Sequence, residues 1–276
     1  MNMIKLTVTG ASGKMGQRVI TNAVASGEFE LVGAIERENH PQLGVDIGTI
    51  IGLGKELGVP LTSDYGKAIT KGDITIEFTN PEITLFHLKE SSAQGKAMVI
   101  GTTGLNDEQI KELKSLAVNI PCVFSPNMSL GVNLLFKLAA EAAQILGDDY
   151  DIEIIETHHR MKKDAPSGTA VKLADVVAEA VGRDMKEVGC YGRQGITGER
   201  DRKTIGVMTL RGGDIVGDHT VMYLGTGEKI ELSHRATSRD TFAMGALRAA
   251  KFVVAKPKGL YDMQDVLGLK ENKFAI

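Results

Sequence analysis

The chain has 276 residues, of which 42% are hydrophobic and 24% are charged, a composition that predicts a globular protein large enough for two domains. Its formal net charge of −3 argues against a global basic field, so we expect no nucleic-acid partner. No signal peptide precedes the first strand and no apolar run approaches the roughly 20 residues that span a bilayer, so we expect no membrane association and a cytoplasmic location.

The cysteine content is low. Cys122 and Cys190 are too few and too far apart in sequence for a familiar zinc pattern or a disulfide framework. We therefore expect no metal site. Two unpaired thiols are in keeping with the reducing cytosol.

The first elements predict a dinucleotide-binding unit. The β-rich run 4–9 leads into Gly10-Ala-Ser-Gly13-Lys-Met-Gly16, and a helical pattern follows. Glycines at such a turn let the backbone approach a pyrophosphate, whose charge lies at the helix N-terminus. The GxxGxxG spacing alone is a weak signal.

The next strand strengthens this prediction. Residues 29–35 form a second β-rich run, and Glu36 follows, twenty residues beyond Gly16. Dinucleotide folds place there the carboxylate that binds the adenosine ribose hydroxyls. Arg37 is suited to stack on adenine or to pair with a 2′-phosphate. We therefore expect NADH or NADPH as cofactor, with both accepted.

Strands and helices continue to alternate, which predicts a parallel, doubly wound sheet. The further elements are strands at 73–78, 96–100 and 121–124 and helices at 81–94 and 107–117. Ligands bind beyond the carboxyl ends of such strands. The loops 79–80, 101–104 and 125–128 should therefore line the nicotinamide half of the cofactor. His87, inside a predicted helix, is interpreted as structural.

The second half of the chain predicts an α+β domain. Its elements are a helix at 131–146, a strand at 151–156, a helix at 167–182 and strands at 204–210, 219–224 and 229–233. A glycine-rich segment at 189–202 carries Arg193, Arg200 and Arg202, which suit either a loop that closes over an anion or a plain surface loop. A final helix at 241–255 and an α pattern at 259–267 are expected to return to the first domain.

Both faces of the second sheet carry apolar residues, since Val221 and Tyr223 alternate with Met222 and Leu224. The helices at 131–146 and 167–182 suffice to cover one face. We expect another subunit on the other face.

The predicted fold class is therefore α/β, with an N-terminal Rossmann-type doubly wound parallel sheet. A second α+β domain adds a four-stranded, mostly antiparallel or mixed sheet used for oligomerisation. The predicted domains are 1–128 with 240–276, and 129–239. The crossings at 127–131 and 237–240 are expected hinges for closure over substrate.

The densest chemistry lies in Glu156-Thr-His-His-Arg-Met-Lys-Lys-Asp-Ala-Pro-Ser-Gly-Thr169. Ala165 precedes a proline, which disfavours helix, so 158–165 is a predicted loop that leads into a helix start. Cationic side chains beside a helix N-terminus indicate a ligand that carries carboxylates or phosphates. The alternative is a solvated basic loop.

Several blocks of the sequence together resemble the dihydrodipicolinate reductase family over nearly the whole chain. They are residues 8–16 (VTGASGKMG), 77–82 (EFTNPE), 101–104 (GTTG), 125–133 (SPNMSLGVN), 158–169 (HHRMKKDAPSGT), 211–221 (RGGDIVGDHTV) and 259–263 (GLYDM). The block at 158–169 is highly specific, whereas the glycine turn is not.

The resemblance implies NAD(P)H-dependent reduction of 4-hydroxy-tetrahydrodipicolinate, a small dicarboxylate, to tetrahydrodipicolinate in the diaminopimelate route to lysine. It implies His158 as the acid/base residue, Lys162 as the proton donor and a homotetramer. The implied substrate contacts are His159, Ser167, Gly168 and Thr169. The implied cofactor contacts are Gly10, Ala11, Ser12, Gly13, Lys14, Met15, Glu36, Arg37, Gly101, Thr102, Thr103, Ser125, Pro126, Asn127 and Met128.

Two residues depart from the family pattern. Glu77 stands where the family usually has aspartate, which changes reach but not charge. Lys163 follows Lys162 directly, and only the spacing from His158 selects between them as donor. Like-charge repulsion from Lys162 and Arg160 is expected to lower the pKa of His158 in the empty enzyme.

Two other functions remain open at this point. An aspartate-semialdehyde dehydrogenase needs a nucleophilic cysteine, and neither Cys122 nor Cys190 has the setting for one; homoserine dehydrogenase is a related alternative. A nonenzymatic sensor of NAD(P) would keep Glu36 and the glycine turn, but it has no need for the histidine and lysine loop.

Overall fold

The computed structural model describes residues 3–270 of the chain. These residues form two compact units. The first comprises 3–130 and 239–270, and the second comprises Gly131–Ser238.

The first unit contains a sheet of seven strands, all paired in parallel, in the order β12-β6-β5-β4-β1-β2-β3. The strands are β1 Ile4–Thr9, β2 Phe29–Ile35, β3 Leu61–Thr62, β4 Ile74–Glu77, β5 Ala97–Ile100, β6 Pro121–Phe124 and β12 Gly259–Tyr261. The strand order reverses between β1 and β4, and ligands of such sheets bind at that point. The Rossmann-type sheet is confirmed.

Helices lie on both faces of this sheet. They are α1 Lys14–Ser26, α2 Ile47–Ile50, α3 Tyr65–Ile69, α4 Pro81–Gln94, α5 Asp107–Ala117, α9 Asp240–Val253 and α10 Met263–Leu267. Side chains of α1, α9 and α10 share one core with β1 and β4, and side chains of α4 and α5 share another with β5 and β6.

The ends of α4 and α5 agree with the sequence because local signals set them. Asn80 accepts a hydrogen bond from the backbone N–H of Ile83, and Pro81 occupies the first turn of α4. Asn106 and Gln109 form a reciprocal capping box on α5.

Three short elements of the first unit were not predicted from the sequence. α2, β3 and α3 have two to five residues each, too few for a periodic pattern. The segment at 259–267 was predicted as α throughout, and this was wrong at its start. Gly259–Tyr261 pairs in parallel with β6 as an edge strand, and only Met263–Leu267 is helical.

The second unit contains a mixed sheet in the order β11-β10-β7-β9-β8. Its strands are β7 Asp151–His158, β8 Gly189–Cys190, β9 Ile205–Arg211, β10 Gly217–Leu224 and β11 Lys229–Ala236, and its helices are α6 Leu130–Leu146, α7 Gly168–Ala180 and α8 Met185–Val188. Four strands were expected. The two-residue β8, parallel to β9, makes a fifth.

One face of this sheet packs on α6 and α7. Ile154, Val221 and Tyr223 share a core with Leu135 and Leu173 of these helices. Residues that alternate with them, such as Met222, point to the other face. Glu153 also points to that other face, where the guanidinium of Arg193 donates to both of its carboxylate oxygens at 2.8 and 3.0 Å.

The segment Leu130–Asp149 is, by length and composition alone, apolar enough to cross a membrane, so the expectation that no run reaches that length was wrong. Its residues Val132, Leu135, Phe136 and Ala139 are buried in the core of the second unit. The phenol of Tyr223 donates to the Ala139 carbonyl. The apolar character of this helix is therefore used in packing against the sheet.

Candidate active site

The glycine turn between β1 and α1 is closed too tightly for side chains. Gly10 has φ +56°, and Gly13 donates its N–H to the Gly10 carbonyl at 2.9 Å. A Cβ at Gly16 would lie 2.1 Å from that carbonyl oxygen, so only glycine lets α1 begin here. The turn is thus a backbone cradle at a helix N-terminus, a geometry suited to a phosphate.

Glu36 lies at the end of β2 and faces this turn. The hydroxyl of Ser12 donates to Glu36 Oε1 at 2.7 Å, and the Ser12 N–H contacts the same oxygen at 3.3 Å. His40, which the sequence did not single out, brings Nε2 within 3.2 Å of the same hydroxyl. The side chain of Arg37 is exposed. The carboxylate is therefore held beside the turn, where ribose hydroxyls bind in this fold class.

The three loops expected at the carboxyl edge of the first sheet come together around a cavity of about 300 Å³. Its walls come from the loops that follow β4, β5 and β6 and from two helices. The lining residues are Met15, Phe78, Thr79, Gly101, Thr102, Thr103, Pro126, Asn127, Met128 and Phe242. Ser125 is not among these residues; it is buried, and its hydroxyl donates to the Asn127 carbonyl at 2.8 Å. Phe242 of α9 was missed because it lies more than a hundred residues further along the chain.

A buried polar network lies behind this cavity. Glu77 accepts hydrogen bonds from the N–H and hydroxyl of Thr79, and its other oxygen lies 2.6 Å from His87 Nδ1. The His87 ring packs on Tyr65 at 4.0 Å between centroids. The buried position of His87 agrees with its structural interpretation, and Glu77 fixes the Thr79 loop.

In the second unit, β7 ends in His158, whose imidazole is buried against Glu156. Nδ1 of His158 lies 2.5 Å from Glu156 Oε2. The two residues are separated by one position, so their side chains leave the same face of the strand. The His158 ring also meets His219 edge-on, with centroids 5.2 Å apart.

The Glu156 carboxylate also accepts hydrogen bonds from other groups. Arg211 binds both of its oxygens, at 2.8 and 2.9 Å, and the backbone N–H of Ser167 donates to Oε1 at 2.9 Å. Burial by itself would raise the pKa of Glu156, but hydrogen bonds from Arg211, His158 and Ser167 lower it to about 2. The carboxylate is therefore ionised at neutral pH.

The pKa of His158 is lowered, chiefly by burial. The Glu156 carboxylate opposes this shift, and the charges of Lys162 and Arg211 reinforce it. Lys162 acts as expected from the sequence. The arginine that helps to lower the pKa of His158 is Arg211. The sequence had indicated Arg160, whose side chain is exposed.

The two adjacent lysines differ in environment. Lys162 is partly buried, and its Nζ lies 2.9 Å from the Asp164 carboxylate. Lys163 is exposed. The turn is closed by the Lys162 N–H, which donates to the His159 carbonyl.

The helix α7 begins beside these residues. Ser167 is its N-cap and accepts from the Ala170 N–H at 3.2 Å, so Gly168 and Thr169 occupy the first turn as expected. The Ser167 hydroxyl lies 3.2 Å from His219 Nε2. His159 is half-buried and, within residues 3–270, its buried Nδ1 has no hydrogen-bond partner. The positive end of the helix dipole and His159 thus mark a site suited to an anion.

Two arginines of the 189–202 segment, Arg193 and Arg200, bind protein groups, and Arg202 is exposed. Besides the pairing of Arg193 with Glu153, Arg200 donates to Glu153 at 2.9 Å and to Asp151 at 2.7 Å. These contacts hold the segment on β7. Across residues 3–270, no group of three or more His, Cys, Asp or Glu side chains is arranged to hold a metal ion.

Sequence reasoning missed Glu156, Arg211 and Gly217 as site residues. A Cβ at Gly217 would lie 3.0 Å from His158 Nε2, so glycine keeps room at that nitrogen. Only Thr157 lies between Glu156 and His158. In an extended strand this spacing puts both side chains on one face and could have predicted their contact. Arg211 and Gly217 lie more than fifty residues away in sequence, and no local pattern relates them to His158.

Two family models match the chain. One, described as dihydrodipicolinate reductase, N-terminus, matches residues 4–128, and the other, described as dihydrodipicolinate reductase, C-terminus, matches residues 131–267. Together they span both structural units.

Individual proteins give the same result. A 4-hydroxy-tetrahydrodipicolinate reductase from Syntrophus aciditrophicus is 52% identical over 97% of this chain and 100% of its own length. One from Trichlorobacter lovleyi is 53% identical with the same coverage. A solved structure, dipicolinate-bound dihydrodipicolinate reductase from Paenisporosarcina sp. TG-14, has a TM-score of 0.75 at 27% identity and covers 96% of this chain and 99% of that chain.

Proposed function

Because the chain belongs to the dihydrodipicolinate reductase family, we infer that it reduces 4-hydroxy-tetrahydrodipicolinate to tetrahydrodipicolinate with NAD(P)H, in the diaminopimelate route to lysine. The observation that carries this function is the pair of an ionised Glu156 and the His158 imidazole beside the N-terminus of α7. A cofactor-binding sensor would have no use for this pair.

The first unit suits the cofactor. The pyrophosphate would lie against Gly10, Ala11, Ser12, Gly13, Lys14 and Met15, where the missing Cβ atoms leave the backbone accessible. Glu36, held by Ser12, would accept hydrogen bonds from ribose hydroxyls. Arg37 directly follows this carboxylate, and His40 Nε2 lies 3.2 Å from the Ser12 hydroxyl, so both side chains could meet a 2′-phosphate. We therefore propose that the site accepts both NADH and NADPH.

The nicotinamide half of the cofactor suits the cavity of about 300 Å³. Its apolar wall comes from Met15, Phe78 and Phe242, and its polar groups come from the 101–103 and 126–128 segments. An apolar wall excludes water from the reducing carbon, and a few placed polar groups orient the carboxamide. Bound NAD(P)H supplies the hydride of the reaction.

The second unit suits the dicarboxylate. One carboxylate would bind at the N-terminus of α7, to the backbone of Gly168 and Thr169 and to Ser167. The ammonium of Lys162 and Nδ1 of His159, which has no hydrogen-bond partner among the described residues 3–270, would bind the other carboxylate. Exchanging the Asp164 contact of Lys162 for a substrate carboxylate preserves an ion pair.

The overall reaction consumes a hydride and a proton and releases water. His158, with its lowered pKa, is largely neutral in the empty site at neutral pH. A bound dianion raises that pKa by charge attraction and so loads the proton. His158 serves as the acid/base group in the loss of water, a step that consumes no net proton. Lys162 donates the one proton that accompanies the hydride to the ring.

One assay tests this function. The purified protein is given the product of aspartate-semialdehyde and pyruvate condensation, and oxidation of NADH and of NADPH is followed in parallel. Turnover with either cofactor supports the proposal, and the ratio of the two kcat/KM values gives the preference. Saturable cofactor binding without turnover would instead indicate a sensor.

We also propose that the protein is a homotetramer in which the open faces of the second sheets pack together. Met222 and Leu224 lie on this face, opposite the helices. Apolar side chains exposed on one face of a sheet are costly unless another surface covers them.

A further inference from the structure

The hydrogen-bond chemistry around Glu156 determines where His158 carries its proton. Glu156 is ionised and buried, so its oxygens only accept hydrogen bonds. Nδ1 of His158 lies against Oε2, and it must therefore be the donor. In the neutral ring this leaves the lone pair on Nε2.

The opposite side of the ring is kept open for that nitrogen. Nε2 faces Gly217, where a Cβ would already be 3.0 Å away. The His219 ring packs edge-on and restricts the tilt of the imidazole. The ring is thus held on one edge by a carboxylate, and the edge that carries Nε2 faces Gly217, which has no side chain.

We propose that Glu156, clamped by Arg211, is a positioning residue that fixes the Nδ1–H tautomer of His158 and leaves Nε2 as the nitrogen that exchanges a proton with substrate. This rests on the proposed function for its chemistry. Its structural half, the tautomer, does not depend on that function, because it follows from the contact of His158 Nδ1 with an ionised carboxylate that Arg211 binds through both oxygens.

Arg211 makes the clamp rigid. Its guanidinium reaches both oxygens of Glu156 and also donates to the Asp164 carbonyl at 2.6 Å. The carboxylate cannot rotate away from His158 without breaking a bidentate pair. Through Asp164 the same arginine also ties the lysine-bearing loop to the histidine.

Replacement of Glu156 by glutamine should reverse the tautomer. The Oε1 side faces two groups that can only donate, the Ser167 N–H and Arg211, together with the Thr209 hydroxyl at 3.2 Å. The Oε2 side faces one such group, Arg211, and the imidazole, which can adapt. The amide NH₂ should therefore turn toward His158 and donate to Nδ1, which moves the ring proton to Nε2.

The test measures the ring nitrogens of His158 by long-range ¹H–¹⁵N NMR, with His158→Gln used to assign the signals among the six histidines. The wild-type protein above the pKa of His158 should show Nδ1–H, and Glu156→Gln should show Nε2–H. Glu156→Gln should also lower kcat by about two to four orders of magnitude, the scale of lost acid–base catalysis, with NADH affinity unchanged.

Glu153→Gln is the matched control. Glu153 lies on the same strand, is buried and also binds two arginines, but it does not contact His158. Its replacement should leave the His158 ring signals at their wild-type positions. A shift equal to that of Glu156→Gln would reveal a general disturbance of the sheet and overturn the proposal.

The outcomes separate the two claims. An Nε2–H tautomer in the wild-type protein overturns the positioning role, whether or not any variant folds. Wild-type protein with the expected tautomer but without turnover contradicts the proposed function and leaves the positioning of the ring established.

Discussion

At the scale of single residues, the site depends on groups whose chemistry the neighbouring side chains alter. His158 is a catalytic candidate because a buried anion and two cations surround its ring. Lys162 and Lys163 are chemically identical, yet only the first is partly buried and fixed by Asp164.

The lysine assignment leads to a direct comparison. We expect Lys162→Ala to lower kcat by about two to four orders of magnitude, because it removes a positioned proton donor. Lys163→Ala, with an exposed side chain, should change kcat by less than about threefold. Steady-state kinetics with cofactor affinity measured separately decides between them, and the reverse ranking would mean that Lys163 is the donor.

Gly217 provides a second test at this scale. In Gly217→Ala the new methyl group would press on His158 Nε2 from 3.0 Å, so the imidazole must shift. Displacement of an acid/base group by a few tenths of an ångström should lower kcat about tenfold. Gly212→Ala is the control, since a Cβ there meets nothing within 4 Å. Equal kinetics in the two variants would show that room at Nε2 is unimportant.

At the scale of elements, the junction of β1 and α1 places a helix N-terminus against a closed turn. The close approach of Gly16 to the Gly10 carbonyl sets the angle at which α1 leaves the sheet. The same close approach exposes the turn backbone to a phosphate.

A substitution in this junction should weaken cofactor binding without changing the second unit. We expect Gly16→Ala to weaken NADH binding at least tenfold, because its Cβ would lie 2.1 Å from a backbone oxygen and α1 must move. Fluorescence titration measures the affinity. Gly66→Ala serves as control, because Gly66 is a helical glycine of the same unit whose Cβ would make only ordinary contacts, with the side chains of Glu90 and Gln94. Unchanged affinity in Gly16→Ala would argue against phosphate binding at this turn.

At the scale of the whole molecule, the Glu156 clamp should contribute to acid stability. Its folded-state pKa of about 2 lies below the ordinary 4.5, so its contribution is present above pH 4.5 and is lost as the pH falls toward 2. Between pH 6 and pH 3 the free energy of unfolding should fall by about 2 kcal/mol more in wild type than in Glu156→Gln. Urea titrations at both pH values measure this difference, and parallel losses would contradict the lowered pKa.

The assembly can be tested on the open face of the second sheet. Analytical ultracentrifugation of the wild-type protein should give about four times the chain mass of 29.6 kDa. Met222→Lys should reduce this mass, because it places a charge in the proposed interface. Met244→Lys changes an exposed methionine of α9 and should leave the assembly intact. A monomeric wild-type protein would refute the tetramer.

The sequence by itself determined the features that depend on neighbouring residues. Alternating strand and helix patterns predicted the parallel sheet, and the predicted helices at 81–94 and 107–117 have the bounds that the structure shows. The glycine turn and the spacing of Glu36 indicated a dinucleotide site, because that site is built within one βαβ unit. The block at 158–169 was specific enough to identify the family.

Only the tertiary structure decided which distant groups meet at these places. Arg211 reaches Glu156 across 55 residues, and Gly217 and His219 approach His158 because β10 pairs beside β7. Phe242 enters the cavity of the first unit from a helix at the far end of the chain. Local patterns record the intrinsic preferences of a segment, whereas these contacts depend on strand order and register, which are set by packing of the whole unit.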